Sequence, residues 1–458
     1  MFSFLRKKNN VIKFSLYFIF FLISLINFLK IDVSILLYFI FIFFSFLFLR
    51  NIFILENSFG NIVLSTFIFL GFWFKFSFNT LANTPFGEGV GFFDFSKNGY
   101  NEVLKVCIVF HIAFILGHST YSKLNISKYT INLVEIKKLF QKKILLYIWI
   151  ISIFVISICI FNYYNKIFLR GTPFNENFIL YENFFKIFYK VFAAALIYFS
   201  FDLTLNSDLS KRKKTILFFL LAFILNFIYL SQLSREGGVH VLVLMLSLFL
   251  IQKNKEYKEN DKLYYVLIFF FFFWFILSLL FIQYQRFEEN FTISVISVSS
   301  PNYKMIDNSI ALLFNRWVGI DAVMAIVSNN DKGWDLLNNI INNRVNWTHN
   351  VAWPNKSNLI DPSHVNLPGP AAFFYISGSF ILLFFLSFIT FFIFFLLESI
   401  INLIKKDFIL MGNFLVFILA YRIIHTGLGL NNLFYFILLI IFCVFFLLIS
   451  NYFYKFTK

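Results

Sequence analysis

Apolar residues in this chain come in long blocks, and polar or basic residues are confined to the gaps between them. A helix crossing the hydrocarbon layer of a bilayer needs about 20 mostly apolar residues. Blocks of that kind occur near residues 11–29, 31–49, 61–81, 100–118, 144–164, 183–204, 215–233, 237–251, 264–284, 371–397, 408–424 and 432–450, the eighth being short. The pattern predicts an all-α fold, a polytopic transmembrane helical bundle of about twelve spans. One transmembrane domain is expected over residues 1–458.

The polar positions then orient the spans. Basic residues favour the cytoplasmic loops. They gather at Arg6, Lys7 and Lys8, at Lys123, Lys128, Lys137, Lys138, Lys142 and Lys143, and at Lys211 through Lys214. Further groups are Lys253, Lys255, Lys258 and Lys262, then Lys405 and Lys406, then Lys455 and Lys458. The connections near Ile31, 234–236 and 424–432 carry few. Both termini are therefore expected on the cytoplasmic side of an inner membrane. The first apolar run is long for a signal peptide and has no small-residue cleavage site before Lys30, which predicts a retained first helix.

One connection stands apart. Residues 285–370 fall on the outer side and far exceed an ordinary loop, which predicts one large periplasmic loop. The stretch holds Pro301, Pro354, Pro362, Pro368 and Pro370, with Trp334, Trp347 and Trp353. Within it, Ile310–Val327 has apolar residues at helical spacing around Arg316, as in a helix lying at the interface or packed across the bundle mouth. Two smaller outer loops, 82–99 and 165–182, carry turn residues such as Pro85, Gly87, Gly171 and Pro173. No internal repeat is apparent, which weighs against transporter folds built from duplicated halves.

Composition agrees with the blocks: the chain is 60% hydrophobic, 22% aromatic and 14% charged, with 74 Phe. A water-soluble domain carries nearly twice that share of charge, so soluble classes are excluded. The Phe excess reads as codon bias in an AT-rich genome. The net charge of +16 sits in the inner loops, so it signals topology and contact with anionic lipid, and no nucleic-acid partner is implied. Cys107, Cys159 and Cys443 lie far apart in apolar runs and suit packing. The inner loops hold no nucleotide-binding motif, and no zinc spacing or nucleophile elbow occurs anywhere. Asp331 and Asp335 make only a weak metal signal, so neither a metal nor another cofactor is expected.

Charges near membrane depth are costly and therefore informative. Arg235, in Ser234-Arg235-Glu236-Gly237-Gly238-Val239-His240, sits between two blocks joined almost without a loop. Beside a helix N-terminus opened by the glycines it would seat a diphosphate; otherwise it snorkels and pairs with Glu236. Arg316, in Asn315-Arg316-Trp317-Val318-Gly319, suits either a lipid headgroup or a lipid-linked phosphate. Arg422 and His425 share one helical face near the outer end of the penultimate span, where they would bind phosphate or a sugar hydroxyl, or anchor at the interface. His364, next to Pro362 and Pro368, is either a turn residue or a proton carrier. Arg286 and Arg344 belong to the long loop as further anion contacts or as interface anchors.

Taken together, Ser234-Arg235-Glu236-Gly237-Gly238, Asn315-Arg316-Trp317-Val318-Gly319 and Pro368-Gly369-Pro370 through Tyr375 and Gly378 resemble the O-antigen polymerases (Wzy), which polymerise oligosaccharide repeat units in bacterial inner membranes. The glycine turn after Arg235 departs from the family's Ser-Arg-Gly stretch by the inserted Glu236. The resemblance implies a metal-independent glycosyl transfer at the periplasmic face. The donor is a glycan on undecaprenyl diphosphate, the acceptor one lipid-linked repeat unit, and a chain-length regulator and a flippase are the implied partners. Arg235 and Arg316 would steady the leaving diphosphate. His364, His425 or a loop carboxylate such as Asp321 would orient or deprotonate the acceptor. Arg422, Arg286, Arg344 and Tyr375 would contact diphosphate or sugar. A lipid-linked oligosaccharide flippase, an O-antigen ligase and a non-catalytic envelope scaffold remain the alternatives.

Overall fold

A computed structural model describes residues 2–54, 58–82, 90–124, 144–169, 176–234, 317–343, 369–405 and 408–425, with a few more between 240 and 276 and between 437 and 444. Every regular element among the described residues is helical. In chain order they are α1 (Phe2–Lys30), α2 (Ile35–Phe53) and α3 (Phe59–Ile68), which continues through a π-turn (Phe69–Phe74) into α4 (Lys75–Ala82). Then come α5 (Lys97–Lys123), α6 (Ile144–Tyr164), and α7 (Glu182–Ile187), joined by a second π-turn (Phe188–Phe192) to α8 (Ala193–Leu205). After α9 (Lys211–Leu230) follow α10 (Ile320–Val327), α11 (Trp334–Asn343), α12 (Gly369–Phe374), α13 (Phe380–Lys405) and α14 (Ile409–His425).

Among the described residues, seven helices are long and apolar enough to cross a membrane: Lys13–Lys30, Ile35–Phe53, Phe59–Leu81, Lys97–Lys123, Ile144–Tyr164, Arg212–Leu230 and Phe380–Asn402. Their outward faces are apolar too, with Phe14, Leu29 and Ile381 each more than 70% exposed. A surface of that kind suits lipid and is unfavourable in water. Residues 237–251, 264–284 and 432–450, expected as further spans, lie largely outside the described residues.

Two compact units divide the chain. The first contains residues Met1–Asn125, Asn302–Leu397 and Leu419–Phe436; the second contains Ile126–Pro301, Glu398–Ile418 and Ile437–Lys458. In the first, α2 packs on α3 and α5, while α10 packs on α5 and α12. Apolar faces supply the area, and a few polar contacts set the register. Ser24 of α1 accepts from Trp73 Nε1 at 3.0 Å, and its carbonyl accepts from the Tyr38 hydroxyl at 2.6 Å. One end of this unit is tied by Lys30 Nζ to the Leu81 carbonyl (3.0 Å) and by the Ser34 amide to Asn101 Oδ1 (2.8 Å).

The second unit packs α6, α8 and α9 against one another. Asn162, at the end of α6, holds the Phe168 amide (2.8 Å) and reaches the Ser231 carbonyl (2.9 Å). Asp202 of α8 accepts from the Leu410 and Met411 amides at 2.9 and 2.7 Å. It thereby caps the N-terminus of α14, where a carboxylate is favoured by unpaired N–H groups and the helix dipole.

Two expectations need correction. The block at 371–397 is not one helix: α12 ends at Phe374, residues 375–379 form a turn, and α13 starts at Phe380. Gly378 in that turn has φ +73°, a conformation that a helix cannot contain. Of the stretch Ile310–Val327, expected as a helix at the interface or across the bundle mouth, the described part is non-helical over 317–319 and helical over Ile320–Val327, with seven of those eight residues buried, so this part lies in the core and not at the interface. Residues 310–316 lie outside the described residues.

The Gly319 turn is set by a close approach of backbone to backbone. A Cβ on Gly319 would fall on the Gly71 carbonyl, and one on Gly71 would fall on the Val318 carbonyl. Neither neighbour is a flexible side chain. Gly319→Ala should therefore cost about 3 kcal/mol, at the upper end for overpacking. Gly333→Ala, whose Cβ would meet nothing nearer than the Asp331 carbonyl at 4.0 Å, should stay within about 0.5 kcal/mol of wild type. Unfolding of the two variants in detergent, compared with wild type, checks both values.

Candidate functional site

Lys75 sits in the third span among Phe72, Trp73 and Phe76, all buried. Ahead of it lies the π-turn Phe69–Phe74. Such a turn holds one residue more than an α-turn, which rotates everything after it by about 100°. The rotation aims Lys75 at the segment before α10. Its ammonium donates to the Trp317 carbonyl at 2.9 Å and to Asp321 Oδ2 in a charged hydrogen bond. Both side chains are 0% exposed. Among the described residues Asp321 Oδ1 has no hydrogen-bond partner.

Val318 carries the contact onward. Gly369, at φ +72°, comes so close that its Cβ would lie 2.6 Å from Val318 Cγ1 and 3.3 Å from the Ile424 carbonyl. Beside it, the Phe67 ring centre is 6.1 Å from Trp317, 6.1 Å from Tyr421 and 6.0 Å from His425. The His425 ring stacks on Tyr421 at 4.1 Å, and the Arg422 guanidinium lies 5.7 Å from the Tyr421 ring centre. All of these residues belong to the first unit.

The half-buried face of Tyr421, Arg422 and His425 combines an aromatic ring, a fixed cation and an imidazole. His425 Nδ1 lies 2.9 Å from the Tyr421 carbonyl. A carbonyl only accepts, so the contact needs a proton on Nδ1 and leaves the lone pair of the neutral ring on Nε2. An arrangement of that kind can bind an anion beside a sugar ring and take a proton from a hydroxyl.

A second polar cluster joins α5 to the turn before α13. Lys332 Nζ is 2.7 Å from Glu102 Oε1 and 2.9 Å from the Val327 carbonyl, and the Tyr375 hydroxyl donates to Glu102 at 2.9 Å. Burial, and then the Glu102 carboxylate, raise the Tyr375 phenol above its ordinary range, so it stays a neutral donor. Tyr375 is 2% exposed and packs on Phe380. It ties the turn to α5 and offers little ring face to a sugar.

Of the other residues expected at the site, Arg235, Arg316, His364, Arg286 and Arg344 lie outside the described residues. The flanks of Arg235 are placed, within the second unit. After α9 the chain turns through Leu233 at φ +52°, with the Ser234 amide bonded to the Tyr229 carbonyl at 2.9 Å. This αL cap comes before the two glycines. Beyond Arg235, His240 stacks on Tyr229 at 4.5 Å, and its carbonyl accepts from the Tyr198 hydroxyl at 2.7 Å. Asp321, expected as a loop carboxylate, is instead fully buried on Lys75.

Lys75 escaped the sequence reading, although a lone ammonium inside the block at 61–81 was a legible signal of a membrane-depth charge. Glu102 and Asp202 carry the same signal in their own blocks. Among the described residues no group of three His, Cys, Asp or Glu side chains is placed to hold a metal ion. No family model, curated protein or solved structure matches the chain.

Removing one partner of a buried ion pair strands the other, whereas replacing both with apolar residues is close to neutral. Lys75→Met should destabilise the first unit by about 3–5 kcal/mol. Lys75→Met/Asp321→Leu should recover most of that loss, a non-additivity that a double-mutant cycle on unfolding in detergent would read.

Proposed function

We propose that this chain is a glycosyltransferase of the inner membrane. It joins undecaprenyl-diphosphate-linked oligosaccharide repeat units into O-antigen or capsular polysaccharide at the periplasmic face. The twelve-span topology, cytoplasmic termini and large outer loop over 285–370 belong to the same proposal. The observation that carries it is a convergence. Trp317–Gly319, Gly369 and Tyr421–His425, far apart in sequence, meet around Val318 and Phe67. The first two lie in the stretches that resemble the polymerases, and the third brings a cation and an imidazole to them.

In this reading the acceptor hydroxyl attacks the anomeric carbon of the donor, the bond from that carbon to the diphosphate oxygen breaks, and lipid diphosphate leaves. Arg422 offsets the charge that develops on the leaving group; Arg235 and Arg316 are candidates for that role from the sequence resemblance alone. His425 takes the acceptor proton on Nε2, with His364 as the other candidate base. Arg286 and Arg344 remain candidate diphosphate contacts, and Tyr375 supports the turn that leads into α13. The reaction needs no nucleotide sugar and no metal, and the lipid-linked oligosaccharide is the substrate.

Deleting the gene should leave surface lipid carrying one repeat unit and no ladder. Arg235→Ala and Arg422→Ala should each reproduce that loss at normal protein level, with turnover falling about a hundredfold or more, as for loss of one transition-state contact. Absence of any surface repeat after deletion would point instead to a flippase. Accumulation of long polymer on the lipid carrier would point to a ligase.

A further inference from the structure

We infer that Lys75 and Asp321 form a positioning pair that clamps residues 317–321 to the third span and so sets where the segment following Arg316 lies. Stability alone does not account for the pair. Burying two opposite charges costs desolvation of both, and an apolar pair of similar size would hold the same helices together. What an apolar pair lacks is direction. The Lys75 ammonium grips the Trp317 carbonyl on one side of Gly319 and the Asp321 carboxylate on the other. The turn between them is the one whose backbone touches Gly71, a single helical turn before Lys75. Two contacts from one face of the third span therefore bracket the close approach of Gly319 to Gly71.

The register of that grip depends on the π-turn, which places Gly71 and Lys75 on the side facing 317–321. Trp317, fixed at its carbonyl, then presents its ring to Phe67, and Val318 meets Gly369. Loosening the clamp leaves the apolar burial of Val323, Met324 and Ile326 in place but frees the turn ahead of α10. Asp321 Oδ1 remains as an acceptor for a further donor. The consequence for catalysis rests on the polymerase reading above; the clamp itself does not.

Amide hydrogen exchange by mass spectrometry, on the full-length protein in lipid nanodiscs, tests the clamp without any substrate. In Lys75→Met/Asp321→Leu the amides of 317–327 should exchange at least about tenfold faster than in wild type, because two charge-assisted hydrogen bonds no longer hold them. Exchange in α6, within the other unit, should not change. Wild-type protection of 317–327 in that folded variant overturns the clamp.

If the double variant does not accumulate, Asp321→Asn keeps the shape, removes the charge and is read in the same way. Faster exchange there supports the clamp and unchanged exchange overturns it. The polymer ladder is a separate readout. Faster exchange with a full ladder leaves the clamp standing and removes 317–321 from the proposed active site. Faster exchange with a collapsed ladder supports both.

Discussion

An ammonium group at membrane depth has no water to fall back on, and the placement of the first unit's irregular backbone follows from how Lys75 is satisfied. It takes its acceptors from one short stretch, Trp317 to Asp321. That choice draws a segment more than 200 residues away in sequence into the core beside the third span. Once it is there, the approach of Gly319 to Gly71 and of Gly369 to Val318 becomes possible only without side chains. Non-helical backbone is tolerated at this depth because protein, and not lipid, surrounds it.

The second unit uses the same device with different residues. Asn162 binds the Phe168 amide and the Ser231 carbonyl, so a single amide side chain satisfies one helix end and the turn before Ser234. Asp202 satisfies two amides that would otherwise be unpaired at the start of α14. The Tyr198 hydroxyl satisfies the His240 carbonyl. Each contact satisfies a backbone group that would otherwise be buried without a partner. The price of burying a polar group is met by the backbone it organises.

The helices were legible wherever a block of about twenty apolar residues had no internal competitor. The blocks at 31–49, 61–81, 100–118, 144–164 and 215–233 all fall on helices. The block at 371–397 misled because its apolar count hides the sequence Ser377-Gly378-Ser379, where a positive φ turns the chain. At 317–319 the helical periodicity is interrupted for a related reason: Gly319 sits against Gly71, and the helix that follows starts at Ile320. Of the candidate site, Arg422 and His425 were legible as charges near a helix end. Lys75 was not noticed, because one lysine barely lowers the hydropathy of a Phe-rich window. The burial of its partner Asp321 is not legible in sequence, because only tertiary structure shows that a carboxylate from the long outer stretch lies in the core.

In a chain this rich in Phe, apolarity does not distinguish a core face from a lipid face. The α6 and α13 helices carry large hydrophobics both buried and exposed, so neither hydropathy nor its period sets their rotation. Orientation falls to sparse polar side chains and to glycines, and these are also the residues that chemistry would use. Depth of burial is the criterion that separates the two roles. Lys75 is held by a backbone carbonyl and by Asp321, and Asn162 and Asp202 by backbone groups, all in buried settings. Tyr421, Arg422 and His425 are half-buried around a shared ring stack. The proposed chemistry is assigned to that face because it is the more open of the two settings.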